Sequence, residues 1–158
     1  SCRMPSVNYK YILVYAFGNS ENIINLAKNI SKKTGYKIVQ ITTTYKKGVK
    51  IKYAKAVGPA EFLYLFKNAN YIITNSFHGT AFAINFNKEF FTELLPKSMG
   101  TNSRIEDILH LFKLEDRIIS SSNIDWINKK IDYDRVNKLL EDERNKSIAL
   151  LNDVLKVK

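Results

Sequence analysis

The chain has 158 residues, of which 45% are hydrophobic and 25% charged, and its formal net charge is +10. That length supports one compact domain with a real core and leaves little for a second, so residues 1–158 are expected to form a single unit. Cys2 is the single cysteine, which excludes an intrachain disulfide and favours a reducing compartment. The opening SCRMPSVNYK lacks the apolar core of a signal peptide, and no apolar run approaches the roughly 20 residues that span a bilayer. A cytoplasmic location follows as the expectation, with peripheral contact at an anionic inner-membrane face left open. The charge points to anionic partners. No zinc-finger spacing or RNP-like aromatic segment accompanies it, so specific nucleic-acid recognition is not expected.

Tyr11 to Phe17, YILVYAF, reads as a buried strand rich in β-branched and aromatic residues. Gly18-Asn19-Ser20 is a turn in which Asn19 or Ser20 suits the N-cap of a helix from Glu21 to Lys33. Ile23, Ile24, Leu26, Ala27 and Ile30 form that helix's apolar face, and Thr34-Gly35 ends it. Tyr36 to Ile41 is a second strand, and Thr42 to Val57 is irregular and basic, with lysines at 46, 47, 50, 52 and 55. Gly58-Pro59 then opens a helix whose buried stripe is Phe62, Leu63, Leu65, Phe66 and Ala69, with Glu61 at its positive end. Tyr71 to Thr74 is a third strand, followed at once by a helix from Ser76 to Asn85. After a turn at Asn87-Lys88, Glu89 to Leu94 reads as a fourth strand. A loop with Pro96 and Gly100 precedes a helix from Asn102 to Phe112, capped by Asn102 or Ser103. Arg117 to Ser120 suits a last short strand. Tyr133 to Lys156 is a long helix that is apolar at Val136, Leu139, Leu140, Ile148, Leu151 and Leu155 and polar from 141 to 147, so it is expected to bury both ends better than its centre.

Strands alternating with helices imply an α/β fold: a mainly parallel sheet with helices on both faces. Ligands of such sheets bind beyond the C-terminal strand ends. The turns at Gly18, at Thr42 to Gly58 and at Asn75 to Gly79 belong on that edge.

The strongest candidate is His78 in YIITNSFHGTAFAINF, at a junction of buried strand, tight turn and helix N-terminus. A neutral imidazole there can accept or donate one proton; the bland alternative is a ring that caps a carbonyl or packs. Ser76, Gly79 and Thr80 surround it. Gly79 lacks a Cβ where a ligand could approach, and the free N–H groups of that turn suit a carboxylate or phosphate; a capped helix packed on its own strand explains the same residues. Gly58 and Glu61 mark a second helix start on the same edge, as punctuation or as a partner for a sugar hydroxyl. Asn19 lies in the first turn on that edge. Arg104, in the first turn of its helix, either serves an anion or is tolerated at the surface. His110, beside Leu109 and Leu111, reads as structural. No metal-ligand spacing, Walker loop, G-x-G-x-x-G or G-x-S-x-G elbow is present.

GPAEFLYLFKNANYIITNSFHGTAFAINFNKEFF (residues 58–91), followed by NSRIEDILHLF (102–112) and a closing charged helix, resembles the C-terminal half of the polysaccharide pyruvyl transferase family. Residues 11–20 fit less specifically. The resemblance implies a Rossmann-like domain that is one half of a GT-B-like enzyme, its active site in a cleft against an N-terminal half that this chain does not contain. It implies transfer of the enolpyruvyl unit of phosphoenolpyruvate to a sugar as a ketal, in exopolysaccharide or capsule biosynthesis, with release of phosphate. Phosphoenolpyruvate is then a co-substrate, no cofactor or metal is called for, and the acceptor is a sugar or lipid-linked oligosaccharide. His78 takes the place of the family histidine; Ser76, Gly79, Thr80, Arg104, Gly58, Glu61 and Asn19 become candidates for substrate binding. The isolated half is expected to be inactive. Two alternatives stay open: a GT-B-type glycosyltransferase domain using a nucleotide sugar, and a non-catalytic anion- or nucleic-acid-binding domain.

Overall fold

Leu13, Ile72 and Phe90 lie side by side on three neighbouring strands, and so do Val14, Ile73 and Phe91 one position on. Side chains alternate across a strand, so these two rows face opposite sides of the sheet, and all six are buried. A strand buried on both faces must be covered by helices on both. The computed structural model describes residues 8–41, 52–53, 57–96, 102–120 and 128–156. Within them, strands β1 (Tyr11–Tyr15), β2 (Lys37–Ile41), β3 (Lys52–Tyr53), β4 (Tyr71–Thr74) and β5 (Glu89–Thr92) form one sheet in the order β3-β2-β1-β4-β5. Every pairing is parallel.

Helix α1 (Glu21–Thr34) covers the Val14 face: its Ile23, Leu26, Ala27 and Ile30 pack with Ile12, Val14, Ile73 and Phe91. The other face carries α2 (Pro59–Asn68), α3 (Phe77–Asn85), α4 (Ser103–Phe112) and the start of α5 (Tyr133–Lys156), through Leu65, Phe66, Ala83, Ile84, Leu109 and Val136. The chain is therefore an α/β Rossmann-like domain. The strand order reverses between β1 and β4, where α1 leaves on one face and α3 on the other. That is the topological switch point at which such sheets open a crevice.

Several sequence expectations need correction. The first strand stops at Tyr15 rather than Phe17, and the fourth at Thr92 rather than Leu94. Lys52–Tyr53 forms an edge strand inside the stretch expected to be irregular; the rest of 42–56, with Lys46, Lys47, Lys50 and Lys55, lies outside the described residues, as does Cys2. Arg117 belongs to a 3-10 turn (Glu115–Arg117), and only Ile118 bridges to Thr92, in parallel. Leu63 is exposed, because its position on α2 points away from the stripe formed by Leu65 and Phe66. His110, read as structural, is exposed and meets Glu115 at 2.8 Å. Helix α5 buries one end, not two. Val136 is buried, and Arg135 Nη1 donates to the Phe112 carbonyl at 3.0 Å. Ile148, Leu151 and Leu155 are exposed, because the helix runs past the body it packs on.

Candidate functional site

The C-terminal ends of β1, β4 and β5 form the crest of the sheet. At that crest β4 passes to α3 within two residues, Asn75 and Ser76, which forces a close approach of helix and sheet. Gly79 permits it: a Cβ there would lie 2.3 Å from Thr74 Oγ1 and 3.1 Å from the Tyr15 ring. Thr74 Oγ1 donates to the Tyr15 carbonyl at 2.6 Å and accepts from the Ser76 N–H at 3.0 Å, tying β1, β4 and the turn together. Gly79 thus has a packing reason, the one by which the N-terminus of α3 is pressed against the crevice.

Ser76 is the N-cap residue by position, with extended φ/ψ, but its side chain makes no capping bond. Thr80 is fully buried, and its hydroxyl donates to the Ser76 carbonyl at 3.1 Å and pairs with Thr92 Oγ1 at 3.2 Å. That hydroxyl locks α3 to the end of β5, and the Thr80 N–H donates to the Ser76 carbonyl at 2.9 Å, so both donors of Thr80 are engaged inside the fold.

His78, in contrast, is exposed at the first turn of α3. Its ring meets the Phe77 ring edge-on at 5.7 Å. The Arg104 guanidinium lies over the same Phe77 ring, 5.2 Å from its centroid. The first turn of α4 therefore lies against the start of α3, and the histidine ring and a cation share contact with one aromatic ring. A cation over an aromatic face is held by the ring quadrupole while its N–H groups stay available. Imidazole, guanidinium and a helix N-terminus together form a surface suited to an anion that must also exchange a proton.

Gly58 and Glu61 lie apart from this group. Gly58 is the N-cap of α2 with Pro59 following, and a Cβ on it would meet Glu61 Oε2 at 2.5 Å. Glu61, three residues on, folds back over its own helix start, the position of a capping carboxylate.

Asn19 is freed from capping, since Ser20 accepts from the Ile23 N–H at 3.2 Å. It lines a cleft of about 620 Å³ formed by residues 17–22, Asn75 and residues 93–96, on the α1 side of the crest. Sequence reasoning missed three residues here. Asn75 is almost fully buried and holds the Phe17 backbone at both ends. Glu93 accepts from Asn22 Nδ2 at 2.9 Å. Phe17 is 60% exposed beside them. Only the position of Asn75 and Glu93 at strand ends signals them in the sequence. Among the described residues no group of three or more His, Cys, Asp or Glu could hold a metal ion, and no helix is long and apolar enough to cross a membrane.

Among solved structures, the chain is similar to UDP-GlcNAc 2-epimerase from Neisseria meningitidis bound to UDP-GlcNAc, at 14% identity over 88% of this chain and 36% of that one, with a TM-score of 0.49. It is similar to the UDP-GlcNAc 2-epimerase of Methanocaldococcus jannaschii at 21% identity over 84% of this chain and 38% of that one, with a TM-score of 0.46. The complex of the latter enzyme with UDP-GlcNAc and UDP matches at 24% identity over 53% of this chain and 29% of that one, with a TM-score of 0.44. The chain thus spans well under half the length of each. No curated protein sequence matches it. The polysaccharide pyruvyl transferase family model matches residues 4–92, from before β1 through the His78 turn to the end of β5. With more than half its length inside that match, the chain belongs to the polysaccharide pyruvyl transferase family.

Proposed function

We propose that this domain belongs to an enzyme that transfers the enolpyruvyl unit of phosphoenolpyruvate to a sugar as a cyclic ketal, in the building of an extracellular or capsular polysaccharide, and that His78 is its proton-transfer group. The observation that carries the reading is the exposed His78 at the N-terminus of α3, with Arg104 held over the neighbouring Phe77. Family membership supports the reaction class.

The chemistry asks for these groups. A proton must be added to the methylene carbon of phosphoenolpyruvate, making a methyl group and an oxocarbenium at C2. One sugar hydroxyl then adds at C2, phosphate leaves with its bridging oxygen, and a second hydroxyl closes the ketal. Two C–O bonds and one C–H bond form, and the C2–O(phosphate) bond breaks. One hydroxyl proton balances the methyl group and the other leaves with phosphate. A positioned imidazole contributes about 10²–10⁴ in rate to such transfers. The substrate carboxylate and phosphate need fixed positive potential, which Arg104 and the N–H groups at the start of α3 supply. Asn19 is assigned to the substrate surface; Ser76, which is buried and tied to Thr74, the Thr80 side chain, Gly58 and Glu61 are assigned to structure. Phosphoenolpyruvate acts here as a co-substrate without a further cofactor. The acceptor is a sugar or a lipid-linked oligosaccharide, met in the cytoplasm or at the inner membrane face. A partner domain closing over the crest completes the site, as half of a GT-B-like architecture, and the domain alone turns over little or not at all.

The test is a mass-spectrometric assay of the full-length enzyme with phosphoenolpyruvate and a panel of sugars, with His78→Ala beside it. Phosphate release with ketal formation, lost in the variant, is expected. An unchanged variant removes His78 from the chemistry. Turnover of a nucleotide sugar with no response to phosphoenolpyruvate overturns the reaction.

A further inference from the structure

The cleft on the α1 side of the crest has a charge balance opposite to that of the chain. The protein carries +10 overall, yet the described residues lining this cleft include Glu21 and Glu93 and no lysine, arginine or histidine. The positive end of the α1 dipole opens onto it, but Glu21 in the first turn offsets that potential and the Ser20 hydroxyl already occupies the Ile23 N–H. A phosphate or carboxylate placed here would face two carboxylates with no counter-charge among the described residues, a juxtaposition that works against an anion. The anion-seeking groups, Arg104 and the start of α3, lie on the other side of the switch point.

What the cleft does offer is specific. Asn22 Nδ2 donates to one oxygen of Glu93, which orients the carboxylate and leaves its other oxygen and Asn22 Oδ1 without a partner among the described residues. Asn19 adds a second amide. The Phe17 ring stands exposed at the edge, braced by Tyr15 at 5.7 Å. Its backbone is held by Asn75, so this wall is preformed. A fixed carboxylate and amides accept and donate to vicinal hydroxyls, and an exposed aromatic ring covers the apolar face of a saturated ring. The volume, about 620 Å³, falls in the range of about 300–1,000 Å³ of small-ligand pockets.

From this charge inventory we infer that the cleft is a binding site for an uncharged, polyhydroxylated ring, held by Glu93 and Asn22 against Phe17. The site stands on its own geometry. Its use, to bring the neutral reactant to the crest while the anionic one sits by His78, rests on the transferase reading above.

The experiment is a ¹H–¹⁵N NMR titration of the full chain with neutral methyl glycosides (gluco, galacto and manno), and separately with phosphoenolpyruvate and inorganic phosphate. At least one glycoside is expected to shift the Gly18, Asn19, Asn22 and Glu93 amides. Glu93→Ala is expected to weaken that response about tenfold, the loss of one or two hydrogen bonds to a charged acceptor. Glu93→Gln, which keeps the shape and removes the charge, should fall between. Both variants keep the Glu93 N–H bond to the Thr74 carbonyl, and an unaltered spectrum elsewhere verifies the fold. No response to any glycoside at tens of millimolar overturns the assignment. So does a phosphate or phosphoenolpyruvate response at these same amides. The two readings fail separately: phosphoenolpyruvate shifting His78, Gly79 and Arg104 without any glycoside response sinks the cleft alone, whereas the reverse pattern supports the cleft and sinks the donor.

Discussion

Asn75 closes a two-point clamp on Phe17: the Phe17 N–H donates to Asn75 Oδ1 at 2.8 Å, and Asn75 Nδ2 donates to the Phe17 carbonyl at 3.0 Å. The two residues are 58 apart in sequence, and the clamp joins the turn after β1 to the turn after β4 where the strand order reverses. Asn75→Ala leaves both backbone groups of Phe17 without their partner, which costs about 1–3 kcal/mol. Asn75→Asp keeps the acceptor and sets a carboxylate against the Phe17 carbonyl. Both are expected to lower the urea midpoint with an unchanged slope and to speed hydrogen exchange of the Phe17 amide. A Phe17 amide exchanging at the wild-type rate in both variants would remove the clamp from the account.

Gly79→Ala should destabilise the domain by about 1–3 kcal/mol through overpacking. The new methyl meets Thr74 Oγ1 and Cβ and the Tyr15 ring, and Thr74 has no room to yield because its hydroxyl is bonded on two sides. Gly58→Ala is the control: its methyl meets only the far end of the flexible Glu61 side chain, so it should change the midpoint far less. Equal effects at the two glycines would count against the packing role of Gly79.

Arg117 is 1% exposed and joins β5 to the segment before α5. It donates to Glu89 at 3.4 Å and to the Lys129 carbonyl at 2.9 Å, and it lies over the Phe91 ring. Glu89 in turn accepts from the Ile131 N–H at 3.1 Å, which docks the segment leading into α5. Arg117→Ala removes the cation beside the Glu89 carboxylate and is expected to cost about 3–5 kcal/mol, whereas the pair Arg117→Met with Glu89→Leu should recover only part of the loss, because it also unpairs the Ile131 N–H. Thermal unfolding of the three proteins checks this.

Burial pushes the Tyr11 phenol well above its ordinary value, with Tyr64 and Tyr9 adding to it, and Tyr11 donates to the Leu65 carbonyl at 2.7 Å. Burial also pushes Tyr133 up, with Glu89 adding, and its hydroxyl bonds the Lys88 carbonyl. A raised native pKa means that the folded state holds the proton more tightly. The contribution is therefore fully present below the unfolded pKa, about 10 for tyrosine, and is lost as pH rises above it toward the native values. The urea midpoint should be flat with respect to these groups through neutral pH and fall in strong alkali, by up to about 1.4 kcal/mol per pH unit for each tyrosine. Tyr11→Phe and Tyr133→Phe should each flatten that fall. An unchanged alkaline slope in both would contradict the assignment.

How much of this was legible in the sequence differs from element to element. The β4 boundaries, Tyr71–Thr74, and those of α5, Tyr133–Lys156, were readable to the residue, because a wholly apolar run and a long 3.6-residue period are strong local signals. The position of His78 at a helix start was readable because strand, turn and helix adjoin within a few residues. Lys52–Tyr53 was not readable, since a two-residue edge strand exists only through its neighbour β2. The exposure of Ile148, Leu151 and Leu155 was not readable either: an apolar period states that a face wants burial, not that the domain extends far enough to bury it.

By itself, the sequence determined the α/β class, the helices and most strands, and the choice of His78 as the lead residue, because each depends on periodicity or on contiguous residues. The tertiary structure alone decided which polar residues meet. It drew Arg104 to the histidine through Phe77 and turned the Thr80 hydroxyl inward. It left Glu61 on its own helix start, and it joined Glu93 to Asn22 and Asn75 to Phe17. The last two pairings lie 71 and 58 residues apart, and only the strand order, reversing between β1 and β4, brings them to one edge of the sheet.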